Sequence, residues 1–236
     1  GFGRTAPPAE GAHVDANLAL LADFVRTAAP GRRVVLVGNS MGGYLSLRMA
    51  AEHASLVRAL VLVDPAAPVP LGAKVDATVA AMFATYMVPG VAQGLMRRRA
   101  AKVGPEGTVR DLMKLCTVDI ARVDPTVIDA HIALARERAA MPWAVDAFLD
   151  AARSLLLALA NPFRYQQHVE AVRAPTLLVH GARDRLIPVA AARALAGRRA
   201  DWRYVEHHDL GHTPQLESPA WLMGELEPWL DALPTR

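Results

Sequence analysis

The apolar residues of this chain fall into two rhythms that alternate along it. Over residues 15–28, DANLALLADFVRTA, Leu18, Leu21 and Val25 recur at helical spacing, and Pro30-Gly31 ends the pattern. RRVVLVG (32–38) is then a short unbroken apolar run, the signature of a parallel strand buried on both faces. Helical spacing returns from Met41 to His53, and LVRALVLVDPA (56–66) makes a second buried strand ending at Asp64-Pro65. The same signature recurs late in the chain. APTLLVHGARD (174–184) predicts a strand, VAAARALAG (189–197) a helix ended by Gly197, and DWRYVEHHDLGH (201–212) a further strand and loop. PAWLMGELEPWLDAL (219–233) closes as a helix with Trp221, Leu222, Leu226 and Trp229 on related faces. This alternation predicts an α/β fold, a mostly parallel sheet flanked by helices.

Between the two halves, residues 68 to 165 read as almost wholly helical, punctuated by Pro89-Gly90, Gly104-Pro105, Asp124-Pro125 and Met141-Pro142. The expected organisation is a core formed by 1–67 and 166–236, with a helical cap inserted over 68–165. The most apolar stretch, AVDAFLDAARSLLLALA (144–160), carries Asp146, Asp150 and Arg153 at amphipathic spacing, so no membrane span is expected.

Composition narrows the picture further. With 236 residues, 53% hydrophobic and 21% charged, the chain can bury one substantial core but is short for two independent domains. The net charge of +3 is spread along the chain. Its only basic run, Arg97-Arg98-Arg99, lacks aromatic interleaving and reads as a solvated helix face, so no nucleic-acid partner is expected. The single Cys116 cannot form an intrachain disulfide and reads as a small apolar filler. The opening GFGRTAPP shows neither an initiator Met nor a signal-peptide pattern; the expectation is a cytoplasmic chain that lacks its N-terminal strands.

The chemistry concentrates at Gly38-Asn39-Ser40-Met41-Gly42, a G-x-S-x-G pattern placed after a strand and before a helix. At so sharp a turn a nucleophile takes strained dihedrals, and the flanking glycines are expected to let neighbouring backbone pass. Ser40 would project from the carboxyl edge of the sheet, with the Met41 amide and the helix N-terminus facing the oxygen of a bound acyl group. Neither phosphate-loop pattern, G-x-x-x-x-G-K-[ST] or G-x-G-x-x-G, is present.

A serine hydroxyl needs a base, and the base an orienting carboxylate. Asp184 follows the strand TLLVHG, and His212 lies in HHDLGHTPQLESP after the last strand, giving the order Ser, Asp, His. Asp64 is the rival acid, with capping the Asp-Pro turn as its structural alternative. His208 and His212 are spaced i, i+4, but Gly211 makes this segment a loop, so no metal site is expected. His180 reads as structural.

LVGNSMGG, PTLLVHGARDRLIP and GHTPQLESP together resemble the alpha/beta-hydrolase fold superfamily across nearly the whole chain. Within it, Asn39 and Met41 beside the serine resemble the meta-cleavage-product carbon–carbon bond hydrolases and their esterase relatives, although Thr213 stands where those hydrolases often carry Trp. The opening GFGRT is similar to the end of the D-x-x-G-x-G-x-S loop after the family's fourth strand. The resemblance implies a first oxyanion donor from an H-G loop, and nothing before Ser40 matches one.

The expectation is therefore a serine hydrolase cleaving a small or medium-sized apolar ester or acyl compound through an acyl-enzyme. Ser40 is the nucleophile, His212 the base, Asp184 the orienting acid and Met41 an oxyanion donor; no cofactor or metal is called for. The alternatives are carbon–carbon bond hydrolysis, or a fragment impaired by the missing half of the oxyanion hole. Met82, Phe83, Tyr86, Met87, Trp143 and Phe148 are candidates to line an apolar small-molecule pocket, with ordinary core packing as the other reading. VVLV (34–37), without neighbouring strands, would form an apolar sheet edge, favouring poor solubility or pairing with another copy.

Overall fold

A computed structural model of the chain describes residues 2–234. Four parallel strands, β1 (Val34–Ser40), β2 (Val57–Pro65), β3 (Thr176–Gly181) and β4 (Arg203–His207), lie in the order β1-β2-β3-β4. Before β1 runs α1 (Val14–Ala28), and α2 (Met41–Glu52) connects β1 to β2. Five helices separate β2 from β3: α3 (Ala77–Tyr86), α4 (Val91–Cys116), α5 (Pro125–Ala139), α6 (Ala144–Leu159) and α7 (Pro162–Ala171). After β3 come α8 (Val189–Arg198), then β4, the short α9 (Pro214–Glu217) and α10 (Pro219–Asp231). Gly197 lies inside α8 rather than ending it, and the last turn is closed instead by the Arg199 amide on the Leu195 carbonyl.

The central strands β2 and β3 are buried on both faces because their apolar runs feed two cores at once, whereas β1, expected to be buried likewise, is mostly half-buried because it lies at an edge of the described sheet. Along β2, Leu60 and Leu62 face a core with Leu18 of α1, Leu47 of α2 and Tyr165 of α7; Ala59, Val61 and Val63 face Leu222, Leu226 and Trp229 of α10. Tyr165 stacks on Tyr44 of α2, with ring centroids 6.0 Å apart. Thus α7, which spans the position where the sequence sets the return to the core, is a layer of that core. A separate small core, including Val109, Met113, Ile128 and Ile132, holds the second half of α4 against α5.

Pro105 stands inside α4, and Gly104, with φ 68° and ψ 177°, breaks it into two helical pieces. At the far end of the sheet β1 pairs only with β2, and no strand flanks its other side among the described residues. Val37 is accordingly 57% exposed. No single helix among the described residues is long and apolar enough to cross a membrane.

Candidate active site

The strand β1 ends on Ser40 and α2 begins on Met41 with no intervening residue, so the chain must reverse within one peptide unit. Ser40 carries that reversal at φ 55° and ψ −121°, a conformation that costs a side-chain-bearing residue about 1–3 kcal/mol. Local contacts hold it there. The Ser40 carbonyl accepts from the Ala66 amide at 2.9 Å. Asn39 donates through Nδ2 to the Val63 carbonyl at 3.0 Å and to the His212 carbonyl at 2.9 Å.

The glycines around the turn do not share one role. A Cβ on Gly38 would overlap the Gly42 carbonyl and lie 2.7 Å from the Gly43 nitrogen, so only glycine fits. A Cβ on Gly43 would meet Pro65 at 2.8 Å. At Gly42 nothing described lies within 4 Å of that position. The expected clearance role of Gly42 therefore belongs to Gly43, because the helix start, once closed against β2, brings Gly43 rather than Gly42 onto neighbouring backbone.

Asp184 and His212 meet directly: His212 Nδ1 lies 2.7 Å from Asp184 Oδ2, with both residues buried. The other oxygen of Asp184 accepts the amides of Leu186 at 2.7 Å and Ile187 at 3.0 Å. An acid fixed by the start of its own loop can hold the imidazole in one tautomer, leaving Nε2 to exchange protons. Among the described residues the Ser40 hydroxyl makes no hydrogen bond. Nucleophile–base contacts are often open before substrate binds.

The histidine loop is held from several sides. The His212 amide donates to the Cys116 carbonyl at 2.7 Å. Buried Glu217 accepts the Gly211 amide at 2.8 Å on one oxygen, and the amides of Val118 at 2.8 Å and Asp119 at 3.2 Å on the other. Arg122 and Arg183 grip Asp209 at 2.6 and 2.7 Å, and those bonds hold its carboxyl down at about 2. Burial, followed by the charges of Asp184 and Glu217, pushes the Cys116 thiol up to about 12. Its side chain is thus an unreactive thiol, consistent with a filler, while its backbone anchors the loop.

The rival acid Asp64 lies on the next strand, in a kink of its own. The pairing passes from Asn39–Val63 to Ser40–Pro65 and skips Asp64, whose φ is 43°. Its Oδ1 accepts the Gly181 amide at 2.9 Å, and its Oδ2 is buried without a partner. Burial, then the charge of Asp184, raises this carboxyl well above the usual range. His180 Nε2 hydrogen-bonds the Ile187 carbonyl at 3.0 Å, and burial lowers its pKa.

Donor atoms of Asp64, His180 and Asp184 lie within 4.8 Å of one another; Asp64 Oδ1, His180 Nε2 and Asp184 Oδ2 are engaged in the bonds just described, while Asp64 Oδ2 and His180 Nδ1 are buried without a partner. This buried trio reads as scaffolding behind the histidine rather than as a cation site. His207 and His208 stand apart, stacked at 5.0 Å with His207 edge-on to Trp221.

Of the aromatic residues expected to line a pocket, Phe83, Tyr86 and Phe148 converge, at 6.1 Å for Phe83–Tyr86 and 5.6 Å for Tyr86–Phe148. Met87 is instead exposed at a turn. Phe2, which the helical pattern does not reach, joins the cluster at 6.4 Å from Phe148. The segment that carries Phe2 is tied down beside it: Arg4 forks onto Glu137 at 2.6 and 2.8 Å, and the Gly3 carbonyl accepts from Arg138 at 2.6 Å. Gly1, the first residue of the GFGRT stretch, lies outside the described residues.

The chain as a whole has relatives among known proteins. A family profile described as the alpha/beta hydrolase family matches residues 1–225. The chain belongs to this family. It is 28% identical over 220 residues to 2-hydroxy-6-oxo-6-(2'-aminophenyl)hexa-2,4-dienoic acid hydrolase of Metapseudomonas resinovorans, covering 93% of this chain and 67% of the relative. It is 31% identical over 196 residues to pimeloyl-[acyl-carrier protein] methyl ester esterase of Aromatoleum aromaticum, covering 78% of this chain and 69% of that one. Among solved structures, a thermophilic esterase from Thermogutta terrifontis superposes with a TM-score of 0.69 at 20% identity, over 100% of this chain and 77% of its own. The chain is an alpha/beta-fold hydrolase.

Proposed function

We propose that the chain is a serine hydrolase of small or medium-sized apolar esters. Ser40 attacks the acyl carbonyl while His212 Nε2 takes its proton, and the bond from Nδ1 to Asp184 stabilises the resulting imidazolium. The tetrahedral oxyanion faces the Met41 amide, one of the donors left unpaired at the start of α2. His212 then returns the proton to the leaving alcohol. Water, activated by the same histidine, releases the acid from Ser40.

The observation that carries this reading is the 2.7 Å His212–Asp184 pair, joined through Asn39 to the strand that ends in strained Ser40. Residues 68–165 act as the cap, and the ring cluster of Phe2, Phe83, Tyr86 and Phe148 supplies its candidate aromatic contacts to an acyl group. The test is a fluorophosphonate label followed by mass spectrometry, with a p-nitrophenyl ester panel of increasing chain length. Label on Ser40, abolished in Ser40→Ala and strongly slowed in His212→Ala, is expected. Label on another residue, or equal labelling in His212→Ala, would overturn the assignment.

A second reading, hydrolysis of a carbon–carbon bond in a vinylogous diketone, is favoured by the Metapseudomonas relative, named for such a substrate, and by Asn39 and Met41 beside the serine. Release of a carboxylic acid from a dienone with no activity on simple esters would select it.

A further inference from the structure

The turn between α3 and α4 is an exposed apolar segment of the helical insertion. Met87, Val88, Pro89 and Gly90 all face solvent, and Val88, Val91 and Leu95 are 46%, 50% and 51% exposed. Single exposed apolar residues are ordinary, but four large ones within nine positions are not. Only Ala92 is buried between Val88 and Lys102. The small core that secures α4 lies beyond the Gly104 kink, so the first half of the helix stands clear of it.

Charge distribution gives this tip a chemical preference. Val91, Leu95, Arg98 and Lys102 follow one another at spacings of four, three and four residues, which place them on one face of α4. No Asp or Glu lies between Asp76 and Glu106, while that interval holds Arg97, Arg98, Arg99 and Lys102. Arg97 pairs with Asp146 at 3.3 Å and Arg99 with Asp111 at 2.5 Å. Arg98 and Lys102 have no ion-pair partner among the described residues. α3 and α4 together reach the apolarity of a membrane segment and are bent by 116° at the turn, a shape that can lie along an interface.

We propose that this turn seats the enzyme reversibly on an anionic lipid surface. Val88, Val91 and Leu95 enter the headgroup boundary, and Arg98 and Lys102 meet lipid phosphates. Joined to the serine-hydrolase reading, on which this consequence rests, it narrows the substrates to esters held at such a surface, reached by the cap rather than from bulk water.

The test is sedimentation of the 236-residue chain with phosphatidylcholine vesicles, with and without about a third phosphatidylglycerol, at low and high salt. The expected result is pelleting with the anionic vesicles that falls severalfold at high salt. Val91→Glu with Leu95→Glu should weaken it by about an order of magnitude or more, and Arg98→Glu with Lys102→Glu should reduce it to the level of neutral vesicles. All four positions are exposed, so circular dichroism and thermal midpoints should match the parent and show that a loss is not unfolding.

Failure of the parent chain to prefer anionic vesicles overturns the proposal. So does unchanged pelleting of the Val91/Leu95 variant, which would move the contact elsewhere, for example to the β1 edge. Concentration-dependent self-association without lipid, abolished by the same pair, overturns it in favour of a second copy as the occupant. Vesicle binding is read without turnover, and Ser40→Ala should bind like the parent, so loss of the hydrolase reading leaves this result intact.

Discussion

Asn39 donates to the main-chain oxygen of His212 across 173 positions of sequence, at 2.9 Å, and through the same nitrogen to Val63 at 3.0 Å. The residue before the serine thereby sets the spacing between the serine's strand and the loop that carries the histidine. Replacing Asn39 by Ala removes both bonds and is expected to cost about 1–3 kcal/mol of stability. Urea midpoints measure that cost. Fluorophosphonate labelling of Ser40 should slow by about tenfold even where the fold persists.

Gly38 and Gly42 should respond oppositely to the same methyl group. Gly38→Ala forces a Cβ into the Gly42 carbonyl and is expected to lose several kcal/mol or to yield no folded protein. Gly42→Ala places its methyl in open space at the start of a helix and should shift stability by no more than about 1 kcal/mol, toward greater stability. Thermal midpoints of the two variants decide it.

Asp64 and His180 tilt the pH dependence of stability in opposite directions. The folded state holds the Asp64 carboxyl above its unfolded value, so between the two values it binds more protons than the unfolded chain, and stability falls as pH rises above about 4. Asp64→Asn keeps an acceptor for the Gly181 amide and removes that titration. Its stability relative to the parent should therefore increase with pH from that point. Burial depresses His180, so stability falls as pH drops through about 6.5 toward its folded value, and His180→Gln should flatten that acid limb. Urea midpoints taken from pH 4 to 8 separate the two.

Glu217 is expected to matter beyond its place in the short helix α9. Glu217→Ala leaves the amides of Gly211, Val118 and Asp119 without their acceptor and should cost about 3 kcal/mol or more. Because Gly211 precedes the histidine, ester turnover should fall with it. Glu217→Gln, retaining one acceptor oxygen, should lie between. Stability and turnover measured on both variants check the pairing.

What the sequence made legible was what is local. Strands β1 to β3 follow from unbroken apolar runs, the helices from their spacing, and the serine turn from five consecutive residues, while β4 mixes polar and apolar residues. Asp184 and His212 were found by their positions after strands, an argument that needs only chain order. Contacts between distant segments carried no such signal. Nothing in the periodicity brings the Cys116 carbonyl to the His212 amide, or Phe2 onto Phe148. Glu217 leaves a faint trace, an acid at the end of a short run between two prolines, but its three amides come from two separate segments. The raised pKa of Asp64 follows from burial beside a second carboxylate, which only the folded sheet supplies.

The strand that ends in Ser40 is one of the two edge strands of the sheet among the described residues, and Val37 beside the turn is the outward sign of it. Partial openings of a protein begin where backbone is least enclosed. One such place here is the edge strand bearing the nucleophile, so stress on the molecule should silence the chemistry early. Heat or denaturant will erase fluorophosphonate reactivity before helix content falls, and a strand added along β1 should delay that loss.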